Sequence, residues 1–291
     1  MEAKPIESPN DGDCKRNSAT IQDVSDFLLW VKQMHTVTND ESGLGFQRNH
    51  VFYRGQASAS WKLVPSLFRK ENEGISEYHL YQEACRRLWR ELQPFDNYLD
   101  KLIYFQHYGL PTRLLDITSN PLVALYFACS FTSTKEGESK DGAVYCTNHM
   151  EDNSFAAERM AKLIFTEDEQ VLLYLRCYEE KDDMFFEENY MKPIFFTPPA
   201  SNLRIDHQQG AFVMTPLLAS RPTGNRFPLF SGNLDSHFDE RKAIIPDSYK
   251  KYILTELAEL GIDKGTLFMD ATSKLEAVVQ NARNKLIDID V

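Results

Sequence analysis

Arg54, His107, Arg113, Asp116 and Gln209 are the side chains best suited, by type and placement, to do chemistry in this chain. Three of them fall between Ile103 and Phe131, in IYFQHYGLPTRLLDITSNPLVALYFACSF, together with Thr118 and Ser119. An uncharged segment starts directly after this polar group, at Leu122. Asn120 and Pro121 read as a helix start, because an Asn side chain caps free amides and a proline at the first helical position gives up no bond. Polar groups at the amide-exposing end of a buried helix serve either as capping or as the floor of an anion site, and both readings stand. Arg54 lies in FYRGQ (Phe52 to Gln56), at the end of a short aromatic strand, and Gln208 and Gln209 precede Gly210 in IDHQQGAFVM. Each candidate has a structural alternative. Arg54 and Asp116 can pair across adjacent strands and fix their register; the glutamines can satisfy backbone at a bulge; His107 can bond the last carbonyls of a helix.

Other chemistries lack their spacing. The seven histidines show no HxxxH or Cys/His ligand pattern, so no metal site is expected. There is no GxGxxG, no P-loop and no GxSxG elbow. A metal-dependent nuclease would need clustered carboxylates, and the acidic runs Glu167 to Glu169 and Glu179 to Asp183 read as solvated loop faces.

The elements that must position these residues follow from periodicity and punctuation. Met1 to about Ala19 is a disordered polar arm, and residues 20–291 form a single domain. Thr20 opens a helix with Asp23 near a capping box and Val24, Phe27, Leu28 and Val31 as its apolar stripe. Ser76 to Leu92 is helical, with Arg86, Arg87 and Arg90 on a solvated face. Asp96 caps a second helix that stops at Gly109, and Pro111 prevents its continuation. Thr112 to Thr118 is extended. The helix after Pro121 is apolar all round and therefore central and buried. Further strands are expected at His50 to Gln56, Ala143 to Thr147, Pro193 to Pro199, Ile205 to Met214 and Lys242 to Pro246. Further helices are expected at Phe155 to Phe165, Asp247 to Leu260 and Thr272 to Leu286; Val171 to Tyr178 fits either state. Strands and helices mix without regular βαβ alternation, which indicates an α+β class.

Composition narrows the partners. The net charge of −11 argues against a dedicated duplex-DNA surface. Five scattered cysteines without CxxC, and a polar start without an apolar leader core, indicate reduced thiols in a cytoplasmic protein. No uncharged run is long enough to span a bilayer, so no membrane partner is expected.

Several pieces carry a resemblance: FYRGQ (Phe52 to Gln56), WKLVPSLFR (Trp61 to Arg69), FQHYGLPTRLLDITSNPLVALYFA (Phe105 to Ala128), HQQGAFVM (His207 to Met214) and the stretch from Lys242 to Met269. Together they resemble the FRG-domain family, named for its aromatic-Arg-Gly motif, over about residues 20 to 285. The order of the blocks is in turn similar to ADP-ribosyltransferases of the Arg, Ser-Thr-Ser, Glu-x-Glu type. That similarity implies an ADP-ribosyltransferase-like split β-sheet with N-terminal and peripheral helices. It also implies NAD as substrate, a macromolecular acceptor (protein or nucleic acid) or water as second substrate, and a role as a toxin or defence effector. In this analogy Arg54 holds a phosphate or ribose of NAD, and Gly55 lets the backbone approach the dinucleotide. Thr118 and Ser119 brace the site, with His107 and Arg113 beside it, and Tyr53, Tyr108 or Tyr126 stack on nicotinamide. Gln209 touches the ribose where the family type carries a glutamate, and Asp116 is the nearest alternative carboxylate. A carboxamide bonds a hydroxyl but stabilises a cation less well. A non-catalytic nucleotide, nucleic-acid or protein binding module of the same fold is therefore the alternative, with a metal-dependent nuclease as the third.

Overall fold

A computed structural model describes residues 18–39, 51–131, 138–147, 152–166, 192–198, 203–217, 232–238 and 242–268. Among the described residues seven short strands form one mixed sheet: β1 (Ala19–Thr20), β2 (Tyr53–Gln56), β3 (Leu114–Thr118), β4 (Gly142–Cys146), β5 (Ile194–Phe196), β6 (Gly210–Met214) and β7 (Ala243–Ile245). Their order is β1-β7-β4-β2-β3-β6-β5. Only β1 and β7 run parallel; the other neighbours are antiparallel. The helices are α1 (Val24–Asn39), α2 (Glu77–Arg87), α3 (Tyr98–His107), α4 (Pro121–Cys129), α5 (Ser154–Thr166), α6 (Leu203–His207), α7 (Asp247–Glu259) and α8 (Lys264–Leu267). The α+β expectation holds. The element expected at Val171 to Tyr178, strand or helix, and the helix expected at Thr272 to Leu286 lie outside the described residues.

Side chains alternate between the faces of a strand and stay on one face across a ladder, so register assigns every core residue. The pairs Tyr53↔Thr118 and Tyr53↔Cys146 put these side chains on one face. Leu114 and Asp116 share that face, as do Phe212 and Met214 across from them. Two helical groups sit there side by side. One, made of α1, α4 and α7, packs on Tyr53, Val144, Cys146, Ala243 and Ile245. The other, made of α2, α3 and α5, packs on Leu114, Phe212, Met214, Ile194 and Phe196. The opposite face, with Phe52, Leu115, Ile117, Tyr145 and Val213, is covered by Leu63, Leu234 and Phe238.

Helix α4 is the centre of the first group. Asn120 accepts the Leu122 amide at 2.9 Å, and the helix starts at Pro121 as the sequence indicates. It lies directly on the sheet because two strands offer glycines beneath it. A Cβ at Gly55 would run into the Ala124 carbonyl and stand 2.9 Å from the Ala128 nitrogen, and one at Gly142 would meet the Ala128 carbonyl.

Three local expectations are corrected. Thr20 belongs to β1, and Asp23 caps α1 by accepting the Asp26 amide at 2.7 Å. Asn97, not Asp96, caps α3, accepting the Asp100 amide at 2.7 Å. The stretch from Ile205 is not one strand: Leu203–His207 is a helical turn, and β6 starts only at Gly210.

Lys250 of α7 is 3% exposed. Its Nζ donates to the Ala57 carbonyl at 2.7 Å and the Phe131 carbonyl at 2.9 Å, so a cation stands at the negative end of α4. Burial lowers its pKa, against the opposing charge of Asp247. Lys250→Met is expected to cost about 2 kcal/mol near neutral pH, as both carbonyls lose a charged donor. A lowered lysine pKa means the unfolded chain binds more protons between the folded value and the unfolded value of about 10.4. Wild type should therefore gain stability over the variant as pH rises through that window. Urea titrations of both proteins from pH 7 to pH 10 measure the difference, and a gap that stays constant or shrinks contradicts it.

Candidate functional site

The two helical groups do not close completely over β2 and β3. Between them lies a cavity of about 290 Å³. Its floor is Tyr53 and Gly55 of β2, Asp116 and Thr118 of β3, and Gly210 and Phe212 of β6. Its walls are Ile103, Gln106 and His107 at the end of α3, Phe127 of α4, and Ile205 and Gln208 around α6.

Strands β2 and β3 share one ladder pair, Tyr53↔Thr118. Past it, Arg54 bridges them, its Nη1 donating to the main-chain carbonyl of Asp116. The expected strand-to-strand contact is real, but it uses the carbonyl of Asp116 and not its carboxylate. Arg54 as a whole is partly exposed, yet its Nε is buried with no acceptor among the described residues. Burial draws the guanidinium down to about 10, a shift opposed by Asp116 and reinforced by Arg69. It remains a cation at neutral pH.

Asp116 is the only carboxylate among the described residues that line the cavity, and it is exposed there. Its Oδ2 accepts from Gln106 Nε2 at 3.0 Å. The other end of that amide accepts from the Thr112 hydroxyl, which fixes which way the amide points. A chain Thr112–Gln106–Asp116 therefore holds the carboxylate toward the opening. Sequence reasoning passed over Gln106. Its signal was its position directly before His107 in the same helix, where α3 turns both residues toward β3.

Thr118 lines the floor, but its hydroxyl is already engaged. It donates to the Gln208 carbonyl at 2.7 Å and accepts the Asn120 amide at 3.0 Å, which shapes the turn into α4. Tyr53 is 1% exposed, with its hydroxyl 2.8 Å from His35 Nε2, and burial raises its pKa. His107 forms part of the wall, at the last position of α3.

Ser119, Gln209, Arg113 and Tyr126 are not among the lining residues. Ser119 donates its amide at 3.0 Å and its hydroxyl at 3.4 Å to the Gln209 carbonyl. Gln209 has φ 45, a left-handed turn residue with an exposed side chain, so the glutamine that reaches the cavity is Gln208. Gln208 in turn donates to the Leu267 carbonyl at 3.1 Å. Arg113 is buried against Glu77, with both side chains 7% exposed, and also donates to the Thr215 and Pro216 carbonyls. Tyr126 is in the core around α4, where burial pushes its hydroxyl up to about 12. Gly55 lets α4 pack closely on β2 and also lines the cavity floor.

Among the described residues, no group of three His, Cys, Asp or Glu could hold a metal ion. Cys85 and Cys129 are free thiols, and no described helix is long and apolar enough to cross a membrane. The cavity thus offers one anchored carboxylate, an imidazole, a guanidinium reaching through the floor, and apolar walls.

Residues 49–137 match the model of the FRG domain, a span that takes in β2, α2, α3, β3 and α4. No curated protein and no solved structure matches the chain.

Proposed function

We propose that this chain, which carries an FRG domain, is an NAD-using enzyme that cleaves the bond between nicotinamide and ribose in the cavity between α3 and α4. In the reaction the C1′–N bond breaks, its electron pair leaves with nicotinamide, and the positive charge passes to the ribose ring. Water or a nucleophile on a macromolecular acceptor then bonds to C1′ and gives up its proton, so the outcome is NAD hydrolysis or ADP-ribosyl transfer.

The observation that carries this reading is the exposed Asp116 carboxylate, held by Gln106 at 3.0 Å on the cavity floor. A developing cation is stabilised by a carboxylate already held in place, and a group that need not reorganise does this best. The size fits as well. About 290 Å³ is near the lower bound for small-molecule sites and suits a nicotinamide riboside end between Phe127 and Phe212. The parting of β2 and β3 after one ladder pair is the opening that an ADP-ribosyltransferase-like split sheet would need.

Release of labelled nicotinamide from NAD, wild type against Asp116→Asn, tests the proposal. The variant keeps the shape and an acceptor for Gln106 but loses the charge. Turnover is expected to fall about 100-fold, with NAD affinity nearly unchanged. A wild-type protein that neither turns over NAD nor is stabilised by it ends this reading.

A second reading is a binding module of the same fold without catalysis. It is favoured by Arg54 Nη1 and the Gln208 side-chain amide, which are spent on the carbonyls of Asp116 and Leu267. NAD would then raise the melting temperature while no nicotinamide appears.

A further inference from the structure

The cavity of about 290 Å³ can enclose one half of a dinucleotide and not both. Directly beside its wall is an aromatic side chain that folding leaves open. Tyr108, the residue after α3, is 68% exposed, although a ring of that size gains much by burial. Its ring stands 5.0 Å from that of His107, a lining residue, at 87° to it. On its other side the ring of Tyr104 is 4.6 Å away, and Phe95 backs Tyr104 at 5.2 Å. The row Phe95–Tyr104–Tyr108 thus runs along one side of α3 from the partly buried Phe95 to the exposed Tyr108, the chain neighbour of the lining His107. The backbone beneath it is fixed: the Tyr108 amide donates to the Tyr104 carbonyl at 3.1 Å and the Gly109 amide to the Gln106 carbonyl at 3.1 Å. Gly109 takes φ 83, the left-handed value that lets the helix stop there. With its backbone fixed and one side against Tyr104, the ring has given up part of its freedom before binding.

We propose that Tyr108 is a stacking shelf for the adenine base of the dinucleotide, placed outside the cavity that takes the nicotinamide half. This rests on the NAD reading above. A purine has two open π-faces and needs no specific hydrogen bond to stack, and an aromatic platform contributes about 1–3 kcal/mol per base. The shelf gives affinity for the adenylate half while the cavity performs the chemistry. It also predicts discrimination between dinucleotide and mononucleotide that the cavity alone would not supply.

The test is calorimetric titration of the full chain with NAD and with nicotinamide mononucleotide, in wild type, Tyr108→Ala and Tyr108→Phe. Tyr108 is exposed and packs on Tyr104 and His107 alone among the described rings, so the variants should melt only slightly below wild type and stay folded throughout the titrations. The expected result is that Tyr108→Ala weakens NAD about tenfold, or about 1.4 kcal/mol, and leaves the mononucleotide within about twofold. Tyr108→Phe should bind NAD as wild type does, since the ring and not the hydroxyl carries the contact. Equal weakening of both ligands in Tyr108→Ala overturns the shelf, as do an unchanged NAD affinity or a Phe variant that behaves like Ala. In those cases wild type still binds both ligands and the cavity reading survives. Wild type binding neither ligand defeats the cavity reading itself, and the shelf with it.

Discussion

Glu77→Ala should lower the unfolding free energy by about 3–5 kcal/mol, the cost of leaving a buried guanidinium without its counter-charge. Arg113 Nε lies 2.9 Å from both Glu77 oxygens, and Nη2 bonds one of them as well. The Tyr81 hydroxyl donates to the same carboxylate at 3.0 Å, and the Phe68 ring covers the guanidinium at 5.6 Å. Both charged side chains are 7% exposed, so water cannot take the place of the lost acid. Removing the pair together is a milder change, because a methionine pair of similar volume has nothing left to desolvate. The double variant Glu77→Met, Arg113→Met should accordingly lose less than the sum of its single variants. Urea unfolding of the four proteins gives the cycle. A single-variant loss below about 1 kcal/mol would mean that the pair is wet, and would remove the reason for assigning Arg113 to stability.

Gly55→Ala is expected to cost about 3 kcal/mol or more, a large value for one methyl group. The added carbon has no space to enter: it would overlap the Ala124 carbonyl and stand 2.8 Å from the Ala124 carbonyl carbon. The neighbours are helix backbone, which cannot rotate aside as a side-chain tip can. Either β2 bends or α4 lifts, and lifting α4 moves Phe127 and so the cavity wall. Loss of stability together with weakened ligand binding is the expected pair of results. An alanine variant as stable as wild type would show that α4 is not seated on the strand.

The sequence disclosed most where one segment decides its own structure. Asn120 and Pro121 start α4 wherever that helix ends up, and an all-apolar helix has no place but the interior. Gly109 and Gly261 take φ 83 and 79 because each stops a helix and carries no Cβ. What stayed hidden depends on distant partners. Two arginines in polar surroundings look alike in sequence, but Arg113 meets Glu77 from 36 positions away while Arg54 meets a carbonyl at the cavity. Two adjacent glutamines are separated by the left-handed turn at Gln209, which sends one side chain outward and leaves Gln208 facing inward. Asp116 reads from the sequence as the nearest alternative carboxylate, but its support by Gln106 requires α3 to lie across β3, which local periodicity does not contain. Thr20 read as a helix cap because its two-residue strand exists only once β7 is present.

That last dependence bears on how the protein comes off the ribosome. Ala19 and Thr20 align with Ala243 and Ile244, and the Val24 amide is accepted by Glu256, 232 residues further along. The apolar side of α1, with Phe27 and Trp30, shares its core with Ile253 and Leu257. Tyr53, Val123 and Leu125 share that core too, but the part that Ile253 and Leu257 cover stays open until α7 has been made. Until then α1 presents part of its apolar stripe to solvent, a feature that favours holding chaperones on the nascent chain.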